Sequence, residues 1–290
     1  MKKVWKVALG CICAASMMTA VGCNKDESSY TQQETLNGKT TQEKYEEIMD
    51  TIDTYSANFT SNTQFDIGVT MKMQGMKAKL NMEMKSTVKM DGENFEEVDF
   101  IDAGELMGEA LGTMEMKAWY VDGVAYLDGT DSGSLEGSIS QTKVKYTATI
   151  AEICEIAGLD EDSLWNPIYD FSGAAFEDVQ FSVGKKDSYF TLTMTGDEAA
   201  AYAEKYVALQ GVSGDITIPK INYKFVLDAE GNFQYAKINY EMTMVANVGG
   251  EQVTYSYKYN GKITFSDIGT TTVSAPAGSE TWTDLTAYLR

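Results

Sequence analysis

Residues 63–90 read TQFDIGVTMKMQGMKAKLNMEMKSTVKM, and their reading decides the fold. Apolar residues occupy every second position: Phe65, Ile67, Val69, Met71 and Met73. After Gln74-Gly75 the alternation resumes at Met76, Ala78, Leu80, Met82 and Met84, and runs on to Val88 and Met90. Side chains alternate faces along a strand, so each run has one apolar face. A two-residue turn at Gln74-Gly75 predicts the pairs Met71–Ala78, Val69–Leu80, Ile67–Met82 and Phe65–Met84. The opposite face then pairs Lys72 with Lys77 and Asp66 with Glu83, which suits a wet surface.

The same pattern recurs at the C-terminal end. Ile221, Tyr223, Phe225 and Leu227 alternate, and residues 228–232 form a turn with Gly231 in the left-handed position. Ala236, Ile238, Tyr240, Met242, Met244 and Ala246 alternate next. A Gly249-Gly250 turn sets Ala246 opposite Val253, Met244 opposite Tyr255, Met242 opposite Tyr257 and Tyr240 opposite Tyr259. Asn260-Gly261 looks like a further turn, but Tyr259, Ile263 and Phe265 keep one parity across it. A two-residue turn there would bury Lys262 and Thr264, so a continuous strand through Gly261 is predicted. Strands this long must twist and curve.

Between these blocks the signals are shorter. Thr40-Thr41-Gln42-Glu43 matches a capping box, and Tyr45, Ile48, Met49, Ile52 and Tyr55 follow at helical spacing. Asp91-Gly92 is a turn, Ala103 to Leu111 reads as a short helix, and Met114 to Leu127 is a hairpin around Asp122-Gly123 with Trp119 opposite Tyr126. Lys143 to Thr147 reads as a strand, and Ile150, Ile153, Cys154 and Ala157 as a helix ending at Gly158. Residues 176–183 and 189–194 read as a strand pair, followed by a capping box at Thr195-Gly196-Asp197-Glu198 and a helix from Ala199 to Leu209. Each half thus runs helix, then meander, which hints at an internal pseudo-repeat.

The N-terminus reads as a targeting segment. Lys2, Lys3 and Lys6 precede an apolar stretch from Val7 to Val21, too short to span a bilayer comfortably. It ends in Ala20-Val21-Gly22-Cys23, which resembles a bacterial lipobox. Residues 1–22 are therefore read as a lipoprotein signal peptide and Cys23 as the lipidation site, giving a diacylglyceryl membrane anchor. Residues 23–39 are polar and read as a flexible tether, residues 40–276 as one domain and 277–290 as a tail.

The chain has 290 residues, 23 Lys and Arg against 43 Asp and Glu, no His, and a formal charge of −20. Removing residues 1–22 takes away three basic residues and no acidic one, leaving 20 against 43, a formal −23. That charge argues against nucleic-acid binding, which relies on Lys and Arg. With Cys11 and Cys13 removed and Cys23 acylated, Cys154 would be the one cysteine left, so no internal disulfide forms. No nucleophile elbow, phosphate loop or dinucleotide fingerprint is present. The densest acid clusters, Glu96-Glu97 with Asp99 and Asp160-Glu161-Asp162, lack EF-hand spacing and read as solvated faces. No metal site, cofactor or enzymatic activity is expected.

Methionine is the informative residue, because its flexible thioether suits surfaces that accept variable apolar partners. The candidate cavity wall on the first hairpin is Phe65, Ile67, Val69, Met71, Leu80, Met82 and Met84. Trp119 is added from the middle of the chain, and Tyr240, Met242, Met244 and Tyr257 from the C-terminal strands. A plain core beneath helices is an equal reading for any one of them.

Together the lipobox, the polar tether, the Met-rich hairpin, Trp119 to Tyr126, Leu227 to Phe233 and Ile263 to Asp267 with Ala275-Pro276 resemble surface lipoproteins of Gram-positive bacteria. These are similar to the LolA/LppX superfamily of lipid-handling proteins. The resemblance covers most of residues 40–276. It implies an α+β fold, a long curved antiparallel sheet forming a half-open β-barrel, with a few helices covering its concave face. It also implies a lipid or other hydrophobic ligand held between sheet and helices, on the extracytoplasmic face of the cell membrane. The alternative is a cell-surface interaction lipoprotein with a closed core, whose acidic exterior meets a protein partner.

Overall fold

The computed structural model describes residues 30–55, 58–73, 76–106, 109–132, 142–157, 176, 178–196, 199, 215–248 and 251–289. In chain order the strands are β1 (Thr31–Gln33), β2 (Asn58–Met73), β3 (Met76–Asp91), β4 (Asn94–Asp102), β5 (Glu105–Leu106), β6 (Glu109–Ala110), β7 (Thr113–Val121) and β8 (Val124–Ser132). They continue as β9 (Thr142–Thr147), β10 (Phe181–Val183), β11 (Asp187–Thr195), β12 (Asp215–Thr217), β13 (Lys220–Asp228), β14 (Phe233–Val248), β15 (Glu251–Ser266) and β16 (Thr283–Asp284).

One sheet takes in nearly all of them, in the order β1-β10-β11-β13-β14-β15-β2-β3-β4-β7-β8-β9-β16, with β12 paired to β14 off this path. All neighbours are antiparallel except β16 on β9. The ends, β1 and β16, do not meet, so the curved sheet stays open as a half-barrel. Its middle is built from β14, β15, β2 and β3, each 16 residues long, or about 50 Å at the usual rise. The two meanders join where β15 pairs with β2.

The predicted registers hold pair for pair. Met71 faces Ala78, Val69 faces Leu80, Ile67 faces Met82 and Phe65 faces Met84. Met244 faces Tyr255, Met242 faces Tyr257 and Tyr240 faces Tyr259. β15 runs unbroken through Asn260-Gly261, with Gly261 between Ile238 and Phe65. At Asp122-Gly123 both residues have positive φ, 50° and 80°, as a type I′ hairpin turn requires. Trp119 lies opposite Tyr126.

The Thr41–Thr54 helix starts at the expected capping box: Glu43 N donates to Thr40 Oγ1 at 3.3 Å, and Thr40 N donates to Glu43 Oε2 at 2.8 Å. Its stripe of Tyr45, Ile48 and Ile52 is buried in the main core with Phe181, Phe190, Phe225 and Ile263. Tyr45 meets Phe225 edge-on at 5.6 Å, and Tyr55 packs on Phe265 at 5.7 Å. The helix therefore covers the base of the long strands, away from their hairpin tips. The Ile150–Ala157 helix has a capping box of its own, with Thr149 N donating to Glu152 Oε2 at 2.7 Å and Glu152 N to Thr149 Oγ1 at 3.2 Å.

Several expectations are corrected. The helix expected over 103–111 is instead the β5–β6 hairpin, closed by Ala103 N to Gly112 O and Leu111 N to Gly104 O. Gly104 and Gly112 have φ of +68° and +96°, which a right-handed helix does not tolerate. A Cβ on Gly104 would lie 1.9 Å from the Asn81 carbonyl, so glycine permits this close approach. The tether is not free up to Lys39. β1 pairs with β10, Tyr30 donates to Asp187 Oδ1 at 2.7 Å, Leu36 enters the core, and Asn37 Nδ2 donates to Glu230 O at 2.8 Å.

The tail also docks: β16 adds to β9, and Trp282 is buried against Trp119 and Tyr126. The first hairpin's outer turn is Gly92-Glu93, because Asp91 pairs with Asn94. The strand expected from Phe176 begins only at Phe181; before it, Val179 O accepts from Thr41 Oγ1 at 3.2 Å. The lipobox, the Gln74-Gly75 and Gly249-Gly250 turns, Gly158 and residues 160–162 lie outside the described residues. Of the helix expected from Ala199 to Leu209, only Ala199 is described, and it is fully buried.

Candidate functional site

Residues directly opposite one another across a ladder share a face, so the registers define the inner surface row by row. Nearest the tips, Met244, Tyr255, Met71 and Ala78 form one row. Met242, Tyr257, Val69 and Leu80 form the next, then Tyr240, Tyr259, Ile67 and Met82. Ile238, Gly261, Phe65, Met84 and Ile101 follow. The structure thus brings together eleven of the twelve candidate wall residues. Trp119 is the exception. It faces outward opposite Glu96 and packs edge-on against Trp282 at 6.0 Å, while its neighbours Met116, Ala118 and Tyr120 point inward and are buried.

Coverage changes along this surface. Phe65, Ile67, Val69, Met84, Tyr240 and Met242 are buried. Met71, Ala78, Leu80, Met82, Met244, Tyr255 and Tyr257 are only half-buried. The half-buried residues adjoin one another toward the tips of the four long strands. Tyrosines continue along the surface: Tyr240 stacks on Tyr259 at 4.5 Å, Tyr257 on Tyr259 at 5.9 Å, and Tyr255 on Tyr257 at 6.3 Å.

One row further toward the base, the apolar surface is interrupted. Thr63, Ser86, Asp99 and Met116 lie side by side, followed by Ser61, Val88, Glu97 and Ala118. Glu97 is 4 % exposed and Asp99 2 %, which corrects the expectation of a solvated acid cluster. Glu96, on the outer face, is half-buried and pairs with Lys89 at 2.9 Å. Ser86 Oγ donates to Glu97 Oε1 at 3.4 Å, and neither carboxylate oxygen of Asp99 has a hydrogen-bond partner. Burial pushes the Asp99 carboxyl up to about 7, with the nearby Ser86 hydroxyl opposing. Burial, then the Asp99 charge, push Glu97 well above the usual carboxylate range, again against Ser86.

Sequence reading had a signal for this pair. A two-residue turn at Gly92-Glu93 sets Val88 opposite Glu97 and Ser86 opposite Asp99, on the face already assigned to the core. Among the described residues, no three His, Cys, Asp or Glu side chains converge as metal ligands do. Among the same residues, no helix is long and apolar enough to cross a membrane.

No family model matches the chain, and no curated protein matches it. Solved structures similar to it include the ywiB protein from Bacillus subtilis, at 9 % identity and a TM-score of 0.20, covering 70 % of this chain and 92 % of that one. A DUF1329 family protein from Desulfovibrio piger is similar at 8 % identity and a TM-score of 0.19, covering 77 % and 94 %. A domain described as an outer membrane lipoprotein-sorting protein, from Vibrio parahaemolyticus, is similar at 11 % identity and a TM-score of 0.21, covering 77 % and 95 %. At these scores the likenesses carry no weight for ligand or mechanism.

Proposed function

We propose that this is a membrane-anchored extracytoplasmic lipoprotein that binds or carries a lipid or other hydrophobic ligand on the inner face of its half-barrel. The supporting observation is the contiguous half-buried apolar surface of Met71, Leu80, Met82, Met244, Tyr255 and Tyr257. Its methionines adapt to ligand shape at little strain. Each methylene taken out of water there contributes about 0.8 kcal/mol. Cys23 would carry the anchor, holding the open sheet beside the bilayer from which a ligand is drawn. No catalytic residue or cofactor is invoked.

A second reading is an interaction lipoprotein with a closed core and an acidic, partner-binding exterior. It draws support from the sheet's centre, where Tyr240 and Met242 are 4 % and 3 % exposed. Titration with a fluorescent alkyl probe separates the two. Saturable binding, competed by unlabelled alkyl chains and lost in Met82→Glu, supports the carrier. Absence of binding by a folded chain leaves the interaction reading ahead.

A further inference from the structure

We infer that Glu97 and Asp99 receive the cationic head of an amphiphile, so that the ligand of the inner face is an alkylammonium compound. This rests on the hydrophobic-ligand reading above and names its ligand class.

A buried carboxylate without a hydrogen-bond partner is rare and costly, and calls for an explanation. Asp99 is such a group, with both oxygens unpartnered inside the sheet's inner surface. Its neighbours across the ladders are Ser86 and Met116. Ser86 has one hydroxyl proton, and its Oγ lies 3.4 Å from Glu97 Oε1. Among the described residues no Lys or Arg faces the pair, and the hydroxyls beside it, on Ser61, Thr63 and Ser86, leave both Asp99 oxygens without a hydrogen-bond partner. A primary ammonium supplies three donors and a positive charge. A fatty acid or phosphate head would bring a like charge instead. A hard divalent cation takes six to eight oxygens, whereas the pair is bordered by Met84, Ile101, Met116 and Ala118.

The surroundings also say where the tail goes. From Ser86 the inward positions along β3 are Met84, Met82, Leu80 and Ala78. The half-buried zone begins at Met82, four residues or about 13 Å away. An alkyl chain anchored by its head at Asp99 would run along this row and fill the incompletely covered surface.

Binding would be linked to pH, because the ammonium pairs with the ionised carboxyls. The inward residues packed on the pair are Ser61 and Thr63 from β2, Met84, Ser86 and Val88 from β3, and Met116 and Ala118 from β7, none of which titrates. Tyr120, the next inward residue of β7, also titrates, but burial pushes its phenol above its ordinary value, so among the described residues the two carboxyls are the groups of the site that titrate near neutrality. Ammonium affinity should rise between about pH 6 and pH 8, with proton release.

The test uses the full chain carrying Cys23→Ala and calorimetric titration with dodecylammonium, dodecanol and dodecanoate below their micellar concentrations. Dodecylammonium should bind at least about tenfold more tightly than dodecanol at pH 8, with dodecanoate weakest. Asp99→Asn should bring the ammonium-to-alcohol ratio near one. Equal affinity for all three probes, or a preference that survives Asp99→Asn, would overturn the head-group assignment while leaving the hydrophobic-ligand reading intact. Binding of none of the three would overturn both. Calcium binding at the pair in the absence of amphiphile would assign it to an inorganic cation and overturn the proposal.

Discussion

Met242 and Met82 lie on one inner surface but differ in cover, and a glutamate at each turns that difference into a measurement. Met242 is 3 % exposed, so Met242→Glu places a carboxyl in the closed part of the sheet. Losing the buried thioether costs about 2 kcal/mol. Keeping the new carboxyl neutral at pH 7, about 2.7 units above its ordinary value, costs about 3.7 kcal/mol more. The sum, about 6 kcal/mol, is comparable to the whole stability of many domains. At about 2–4 °C per kcal/mol, the melting temperature should fall by about 12–24 °C. Met82 is half-buried, so its replacement reaches water, and Met82→Glu should cost about 1 kcal/mol or a few degrees. The raised carboxyl in Met242→Glu carries no charging penalty below pH about 4, where it is protonated in both folded and unfolded chains. The penalty grows as pH rises above that value. The assay is thermal unfolding of both variants at pH 4 and pH 7. Equal melting temperatures at pH 7, or a Met242→Glu deficit unchanged at pH 4, would refute the division of the surface into closed and open parts.

Four further outcomes follow from named residues. Asp99 titrates near 7 when folded and near 3.9 when unfolded. Stability from its protonated form is complete below pH about 4 and is lost as pH rises through about 7, so Asp99→Asn should raise the unfolding free energy at pH 8 by up to about 4 kcal/mol and change it little at pH 4, read by denaturant unfolding. Gly104→Ala pairs a positive φ with an overlap on the Asn81 carbonyl, and should cost about 2–5 kcal/mol in denaturant unfolding. Trp282→Ala removes a buried ring that holds the C-terminal segment to Trp119 and Tyr126; a loss of about 3 kcal/mol, with faster amide exchange in β16, is expected. Cys23→Ala should abolish acylation and shift the protein from the membrane pellet to the soluble fraction, read by fractionation and intact mass.

The long strands were legible because each has one face that is consistently apolar, and parity then determines register. Even Gly261, flanked by an apparent turn dipeptide, was placed by the shared parity of Tyr259 and Ile263. β4 offered no such contrast. Phe95 and Ile101 share a face with Glu97 and Asp99, while Val98 and Phe100 share the other with Glu96, so hydropathy alone could not choose the inward side. Counting parity from Met90 through a two-residue turn selects the odd-numbered side, whether the turn is placed at Asp91-Gly92 or at Gly92-Glu93. Trp119 was counted with the inner wall, although Met116, Ala118 and Tyr120 hold the inward parity. The docked part of the tether was hidden because polar groups help hold it, Tyr30 on Asp187 and Asn37 on Glu230, beside the Leu36 side chain in the core and the Tyr30 ring edge-on to Tyr189. The Ala103–Leu111 hairpin was misread because the left-handed glycines at 104 and 112, not hydropathy, set its backbone.

Native mass spectrometry of the Cys23→Ala chain, purified without detergent, tests ligand carriage most directly. A carrier should show the chain mass plus that of one small amphiphile, released on collisional activation and absent from Met82→Glu. A clean chain mass for the unmutated inner face, unchanged after incubation with alkyl amphiphiles, would contradict ligand carriage and leave a closed-core interaction protein.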